Sequence, residues 1–355
     1  MAVDRNIKIG IVGCGYGREV LAPAFRADPR ATIVAVASKS RTNVDYCARE
    51  LGIDQAFDDW RSMLDRRRID AIVIATPPAV QSEIAKTAIG LGLPVFAEKP
   101  LALEVQSAAS SAAAAAASGL ANIVDFNFCE IDAWRAAQAK LRSGELGELR
   151  HVSVTWQVES YANRARLETW KTDIASGGGA LFNFVSHSLH YLEWFLGPIR
   201  GLSARVAGMP NDTRSNDTFV AMAFEFACGA AGSLTMSTAA YLGSGHRLEF
   251  YGEHGTLVLL NTTADYMRGF SLFAGRRPDQ TLTAIETPSC GEDRWADGRV
   301  LPTSRLAKRF LDWVDGGPPA EPNFAAGLRV QVLLDAARRS HITGQWTDTP
   351  ASGDN

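Results

Sequence analysis

The chain has 355 residues, 46% of them hydrophobic and 21% charged, enough length for two domains and enough apolar content for each to bury its own core. Its formal net charge of −3 leaves no basic surplus to neutralise a phosphate backbone, which sets nucleic acid aside in favour of a small-molecule partner. Five scattered cysteines with no C-x-x-C pair argue against a zinc or redox clamp and for a reducing cytoplasm, and no apolar run has signal-peptide or membrane-span length.

Ile7 to Val12 is a short apolar run with Gly13, Gly15 and Gly17 directly behind it, a buried strand entering a tight turn, and a helix is expected from about Arg18. Thr32 to Ala37 and Ala71 to Ala75 are similar β-branched runs separated by helix-length amphipathic segments, and Pro94 to Ala97 and Ile123 to Phe126 continue the rhythm. The Ala- and Ser-rich stretch at 108–119 reads as one helix between them. Apolar strands alternating with helices imply an α/β, doubly wound parallel sheet of the Rossmann type, expected over residues 1–124.

Beyond residue 125 the pattern changes to one helix, Ile131 to Arg142, followed by long alternating strands such as Arg150 to Val158 and Thr218 to Phe226. Residues 246–252 and 255–260 read as a hairpin turning at Glu253 and His254. An α+β domain with antiparallel sheet is therefore expected over 125–345, with 346–355 as a polar, frayed tail.

A strand that ends in a glycine-rich turn presents backbone N–H groups and a helix N-terminus to one point, where a pyrophosphate can bind. The loop here is Gly13-Cys14-Gly15-Tyr16-Gly17-Arg18, whose third glycine arrives one residue earlier than G-x-G-x-x-G requires. Its place between strand and helix at the start of a βαβ series still points to dinucleotide binding. The end of the second strand carries Ser38, Lys39, Ser40 and Arg41 instead of the carboxylate that bonds the ribose of NAD. Hydroxyls and cations suit a 2′-phosphate, so NADP(H) is expected over NAD(H), the alternative being that Lys39 and Arg41 only solvate a loop.

With Ala75-Thr76-Pro77-Pro78 after the fourth strand and Glu98-Lys99-Pro100 after the fifth, the chain resembles the glucose-fructose oxidoreductase and inositol 2-dehydrogenase (Gfo/Idh/MocA) family. The resemblance continues through Asp125-Phe126-Asn127-Phe128, residues 143–152 and residues 176–187. It implies a Rossmann domain followed by an α+β domain on an open, largely antiparallel sheet, redox chemistry at a sugar or polyol hydroxyl, and a homodimer or homotetramer. It also places Thr76, Pro77, Pro78, Glu98, Lys99 and Asn127 along the cofactor, and implies a Lys99-Pro100 bond that is often cis. Asp125 and Asn127 border the nicotinamide or cap the next helix.

The family's lysine carries over onto Lys99, where an ammonium can stabilise negative charge developing on a carbonyl oxygen. Its histidine carries over onto His187, four residues after Asn183 and behind Gly177-Gly178-Gly179, and imidazole can exchange a proton with a substrate hydroxyl. Asn183 stands where the family commonly has aspartate, and an amide cannot take up a proton. Tyr161, Arg164, Arg166 and Trp170 lie where the family builds part of its substrate pocket, Trp156 reads as core, and His190 as structural. His187 and His190 lack a carboxylate helper, so no metal is expected. The resulting expectation is hydride transfer between NADP(H) and a hydroxyl or keto group of a sugar, cyclitol or sugar derivative. The alternatives are a reductase of an imine, aldehyde or C=C bond, and a non-catalytic cofactor-binding regulator.

Overall fold

The computed structural model describes residues 6–65, 67–287 and 293–349. The chain forms two compact units, residues 1–127 with 294–331 and residues 128–293 with 332–355.

In the first unit the expected apolar runs form five strands, β1 Ile7–Val12, β2 Ala31–Ala37, β4 Ala71–Ile74, β5 Val95–Ala97 and β6 Asn122–Val124, and a sixth, β3 Gln55–Phe57, which has no β-branched residue, is not among them. All pair in parallel, in the order β3-β2-β1-β4-β5-β6. The crossovers are α1 Ala22–Arg26, α2 Arg41–Leu51, α3 Trp60–Met63, α4 Pro78–Gly90 and α5 Val105–Ser118. This is the doubly wound Rossmann arrangement, with its switch point between β1 and β4. The last strand ends at Val124, before the Phe126 that its apolar run suggests, because Asp125 and Phe126 turn away into the following loop.

In the second unit, α6 Asp132–Arg142, α7 Tyr161–Arg164 and α8 Ser186–Leu196 accompany a sheet of nine strands. These are β7 Leu149–Gln157, β8 Ile199–Ala207, β9 Phe219–Phe226, β10 Ala231–Ser237, β11 Gly245–Gly252, β12 Gly255–Asn261, β13 Ser271–Arg276, β14 Thr283–Ile285 and β15 Thr347–Asp348. Only β10 and β7 run parallel; every other neighbouring pair is antiparallel. The expected hairpin at Glu253 and His254 is the β11–β12 turn. Alternation is clear in β9, where Val220, Met222, Phe224 and Phe226 are buried and Phe219, Ala223 and Glu225 are exposed, so one face of the sheet is core and the other open.

A single boundary after residue 124 does not describe the chain, because residues 294–331 rejoin the first unit. The reason is α9 Val300–Val314, whose Phe310 forms an edge-to-face cluster with Phe25 and Phe96, ring centroids 5.3 to 6.0 Å apart. Burying three aromatic rings against one another outweighs proximity in sequence. The helix α10 Phe324–Thr343 follows. The expected fraying of the tail is also corrected in part: Thr347–Asp348 pairs with β8, and the buried Thr349 hydroxyl donates to Ile199 O at 2.7 Å. Residues 350–355 and Cys290 lie outside the described residues. Among the described residues no helix is long and apolar enough to cross a membrane.

Candidate active site

In the first unit the site is built at the carboxyl edge of the parallel sheet, starting from the glycine loop. Gly13 has φ +104°, and a side chain there would overlap the Ala75 carbonyl, so only glycine allows β1 to turn against β4. A Cβ at Gly17 would lie 2.8 Å from Ile11 Cγ2, which makes Gly17 the residue that lets the helix approach the strand. A Cβ at Gly15 would meet nothing within 4 Å. The expected helix does not begin as a regular α-helix at Arg18. Gly17–Leu21 is a π-turn in which the Ala22 N–H donates to Gly17 O, and α1 follows it. This wide turn accompanies the glycine that arrives one residue early.

At the end of β2, Lys39 and Ser40 are exposed, while the Ser40 hydroxyl accepts from the Asn43 N–H at 3.3 Å and caps α2. Arg41 pairs with Asp45 at 2.7 Å, Arg18 pairs with Glu19 at 2.9 Å, and the Ser38 N–H donates to Phe57 O at 3.0 Å. At the end of β4 come Thr76, Pro77 and Pro78, with Pro78 opening α4. After β5 the Lys99-Pro100 peptide is cis. The loop that carries Lys99 is held from below by Gln81 of α4, fully buried, whose amide donates to Glu98 O and, at 2.9 Å, to Pro100 O.

Beside this loop lies a buried polar cluster. The Tyr16 hydroxyl donates to Asp125 Oδ2 at 3.1 Å, the Thr303 hydroxyl lies 3.4 Å from both Asp125 oxygens, and Asn127 Nδ2 donates to Thr303 Oγ1 at 2.9 Å. Burial, then the charge and hydrogen bond of Glu98, push the Asp125 carboxyl well above its ordinary range; Tyr16 and Lys99 oppose this.

In the second unit the triple glycine has a packing role. Gly179, at φ +88°, would place a side chain on the carboxylate of Asp217. That buried carboxylate accepts the Leu181 N–H at 2.8 Å, and burial raises it to about 6. Asn183 belongs to a second π-turn, Leu181–Val185, and His187 to the first turn of α8, so the backbone joining them is not one regular α-helix. Asn183 Nδ2 donates to Lys171 O at 3.4 Å, beside Trp170. The His187 ring packs edge-on against Phe128, centroids 5.0 Å apart. Trp156 is core, stacked on the buried His246 at 4.2 Å. His190 Nδ1 lies 3.7 Å from Cys129 Sγ, and desolvation holds its imidazole down at about 3. Tyr161 is 66% exposed, with the Arg164 guanidinium 5.8 Å from its ring centre; Arg166 is exposed with φ 49°. Among the described residues no three His, Cys, Asp or Glu side chains gather as a metal site.

Residues 7–126 match an oxidoreductase family described as having an NAD-binding Rossmann fold, and residues 134–258 match the GFO/IDH/MocA C-terminal domain. The chain belongs to the GFO/IDH/MocA oxidoreductase family. It is 28% identical to an uncharacterized oxidoreductase of Synechocystis sp. over 99% of this chain and 98% of that one. It is 24% identical to levoglucosan dehydrogenase of Pseudarthrobacter phenanthrenivorans over 98% and 99%. Its fold matches that of a levoglucosan dehydrogenase solved with NADH and levoglucosan, with a TM-score of 0.87 at 21% identity over 98% of this chain and 100% of that one.

The residues expected at the cofactor all follow the carboxyl ends of strands of one sheet: Gly13, Gly15, Tyr16, Gly17 and Arg18 after β1, Ser38, Lys39 and Arg41 after β2, Thr76, Pro77 and Pro78 after β4, Glu98 and Lys99 after β5, and Asn127 after β6. Thr76 Oγ1, Glu98 Oε1 and Asn127 Oδ1 are buried without a hydrogen-bond partner. Orphaned polar atoms on three adjacent strand ends, with open space over Gly15, fit a dinucleotide lying along that edge. Sequence reasoning missed Gln81, Asp217 and the burial of Asp125 against Tyr16 and Thr303. A buried glutamine one turn into a helix and a buried aspartate have no signature in an isolated chain; Asp125, directly after an apolar strand, carried the nearest thing to one.

Proposed function

We propose that this chain transfers hydride between NADP(H), favoured over NAD(H), and a hydroxyl or keto group of a sugar, cyclitol or sugar derivative. The observation that carries the reading is the strand-end edge just described, with Lys99 held in its loop by Gln81, in a family of oxidoreductases. The sugar-directed part rests on the name of the levoglucosan dehydrogenase relative.

The bound cofactor supplies or accepts the hydride. Lys99 stabilises negative charge on the substrate oxygen. His187, set by Phe128 and by its place in α8, exchanges the proton with that oxygen. Asn183 has no titratable group and anchors a substrate hydroxyl. Trp170 offers an apolar face, and Tyr161 with Arg164 an exposed aromatic and cationic pair, for the substrate ring and its polar substituents. Preference for NADP(H) is supported by Lys39 and Arg41 and by the absence of a carboxylate from Ser38 to Arg41. The Arg41–Asp45 pair competes with this use of Arg41, which leaves Lys39 as the main discriminator.

The open face of the second sheet supports a homodimer or homotetramer. Its rows Thr155-Thr235-Ala221 and Ser153-Ser233-Ala223 run across β7, β10 and β9, a flat small-residue surface that another sheet can cover. Light scattering that finds a stable monomer contradicts this part. The catalytic assignment is tested by single-turnover hydride transfer in Lys99→Met and His187→Ala, once a sugar or keto-sugar that turns over has been identified. Each variant is expected to lose at least about 100-fold in rate; wild-type rates in both overturn it.

A further inference from the structure

The segment that leads into β9, Arg214-Ser215-Asn216-Asp217, takes no part in the proposed chemistry, yet each of its residues grips a different point of the chain between 162 and 181. The Arg214 guanidinium, 6% exposed and paired with Asp212 at 2.7 Å, donates to Ala162 O and to Leu167 O, both at 3.1 Å. Ser215 O accepts the Ile174 N–H at 2.9 Å. The buried Asn216 amide donates to Asn163 Oδ1 at 2.8 Å, and Asn163 in turn donates to Thr238 Oγ1 at 2.8 Å. Asp217 takes two N–H groups: its main-chain carbonyl accepts from Ala180 at 2.9 Å and its carboxylate from Leu181 at 2.8 Å.

The gripped stretch cannot hold its own shape. Its helical pieces, Tyr161–Arg164, Trp170–Thr172 and Ile174–Ser176, are single turns, far below the length at which a helix sustains itself. The helical run behind the triple glycine is longer, but its first N–H groups have no acceptor within the helix. Asp217 supplies acceptors for two of them, and a carboxylate suits the positive end of the helix. The approach depends on bare backbone: a side chain at Gly178 would overlap Trp170 O, and one at Gly179 the Asp217 carboxylate. The start of this helical run is thereby clamped between the Trp170 turn and Asp217. Tyr161, Arg164 and Trp170 lie on the gripped stretch, Asn183 in the π-turn that opens with Leu181, and His187 in the first turn of α8 behind it. We propose that Arg214, Asn216 and Asp217 are positioning residues for the substrate site: Arg214 and Asn216 set the stretch that carries Tyr161, Arg164 and Trp170, and Asp217 sets the helix start that carries Asn183 and His187. This rests on the substrate-site reading above and deepens it, since one short segment fixes both groups of residues relative to each other.

Proton NMR of the histidine rings of the full chain tests the helix start without a substrate. The His187 resonance, identified by its loss in His187→Ala, should shift in Asp217→Ala and return in Asp217→Asn, which keeps an acceptor for Leu181. The His151 resonance should stay, because His151 pairs with Ala231 at the far end of β10 from the Ser237–Phe219 pair that follows Asp217. Hydrogen exchange over residues 162–174 should quicken in Arg214→Ala and not in Asp217→Ala. On a sugar or keto-sugar that turns over, Asp217→Ala should lower kcat at least about tenfold with little change in KM, and Arg214→Ala should raise KM at least about tenfold with kcat within about threefold. If Asp217→Ala does not fold, Asp217→Ser replaces it with the same expectation. An unmoved His187 resonance, a shift of His151 equal to that of His187, or kcat and KM at wild-type values in both variants overturns the proposal. Wild-type rates in both Lys99→Met and His187→Ala overturn the substrate-site reading instead; rates lost in those two but kept in Asp217→Ala and Arg214→Ala overturn the positioning role alone.

Discussion

Replacing Gly15 and Gly13 by alanine separates binding from folding within one loop. At Gly15 the added methyl group meets no atom within 4 Å and the backbone φ is not positive, so the folded chain accommodates it. Stability should be unchanged or rise by about 0.4–1 kcal/mol through the less flexible unfolded chain. The same methyl projects into the space where a pyrophosphate has to approach the backbone, and affinity for NADPH and NADH should fall at least tenfold, about 1.4 kcal/mol. At Gly13 the methyl overlaps the Ala75 carbonyl at φ +104°. Left-handed strain of roughly 1–2 kcal/mol and overpacking of about 1–3 kcal/mol together predict a loss of roughly 2–5 kcal/mol in stability. Urea unfolding followed by tryptophan fluorescence gives the stabilities, and cofactor fluorescence titration the affinities. Wild-type affinity in Gly15→Ala, or wild-type stability in Gly13→Ala, refutes the division of labour in this loop.

Asp217, raised by burial from 3.8 to about 6, gives a pH signature. The folded chain holds its proton more tightly than the unfolded chain, so its contribution is fully present below pH 4 and is lost as pH rises through about 6, a difference of about 3 kcal/mol. Asp217→Asn keeps an acceptor for Leu181 and removes the titration, so the variant should become more stable relative to wild type as pH rises from 4 to 7; a pH-independent difference argues against the assignment. Lys39→Ala should weaken NADPH binding about tenfold, the value of one charge-assisted hydrogen bond, and leave NADH within about twofold; equal losses for both cofactors remove the 2′-phosphate reading. Gln81→Ala should slow hydride transfer by freeing the loop around Lys99 while leaving cofactor affinity within about threefold, since the Gln81 amide donates to the carbonyls of Glu98, Pro100 and Leu101; an unaltered rate shows that the loop does not depend on it.

Five of the six parallel strands were legible because buried strands are written as unbroken apolar runs, whereas β3, half-buried and without a β-branched residue, was not; the α+β character of the second unit was legible because β7 and β9 alternate. The two π-turns were not, since the residues of Gly17–Leu21 and Leu181–Val185 have no pattern that distinguishes a wide turn from an α-turn. The return of residues 294–331 to the first unit was hidden for a different reason. The periodicity of α9 announces an apolar face, but the partners Phe25 and Phe96 lie more than 200 positions away in the chain. The triple glycine showed its conservative chemistry only in three dimensions, where Gly179 makes room for Asp217. The cis turn that carries Lys99 was legible because Glu98-Lys99-Pro100 are contiguous in the sequence. Asp125 was placed near the nicotinamide, but its burial against Tyr16 and Thr303 was not legible, because those partners are distant in the chain.

The central claim is tested most directly by titrating the purified protein with NADPH and NADH by fluorescence, then following cofactor absorbance over a panel of sugars, polyols and keto-sugars. The account predicts binding of both, tighter for NADPH, with turnover of at least one panel member. Absence of binding to either cofactor contradicts it.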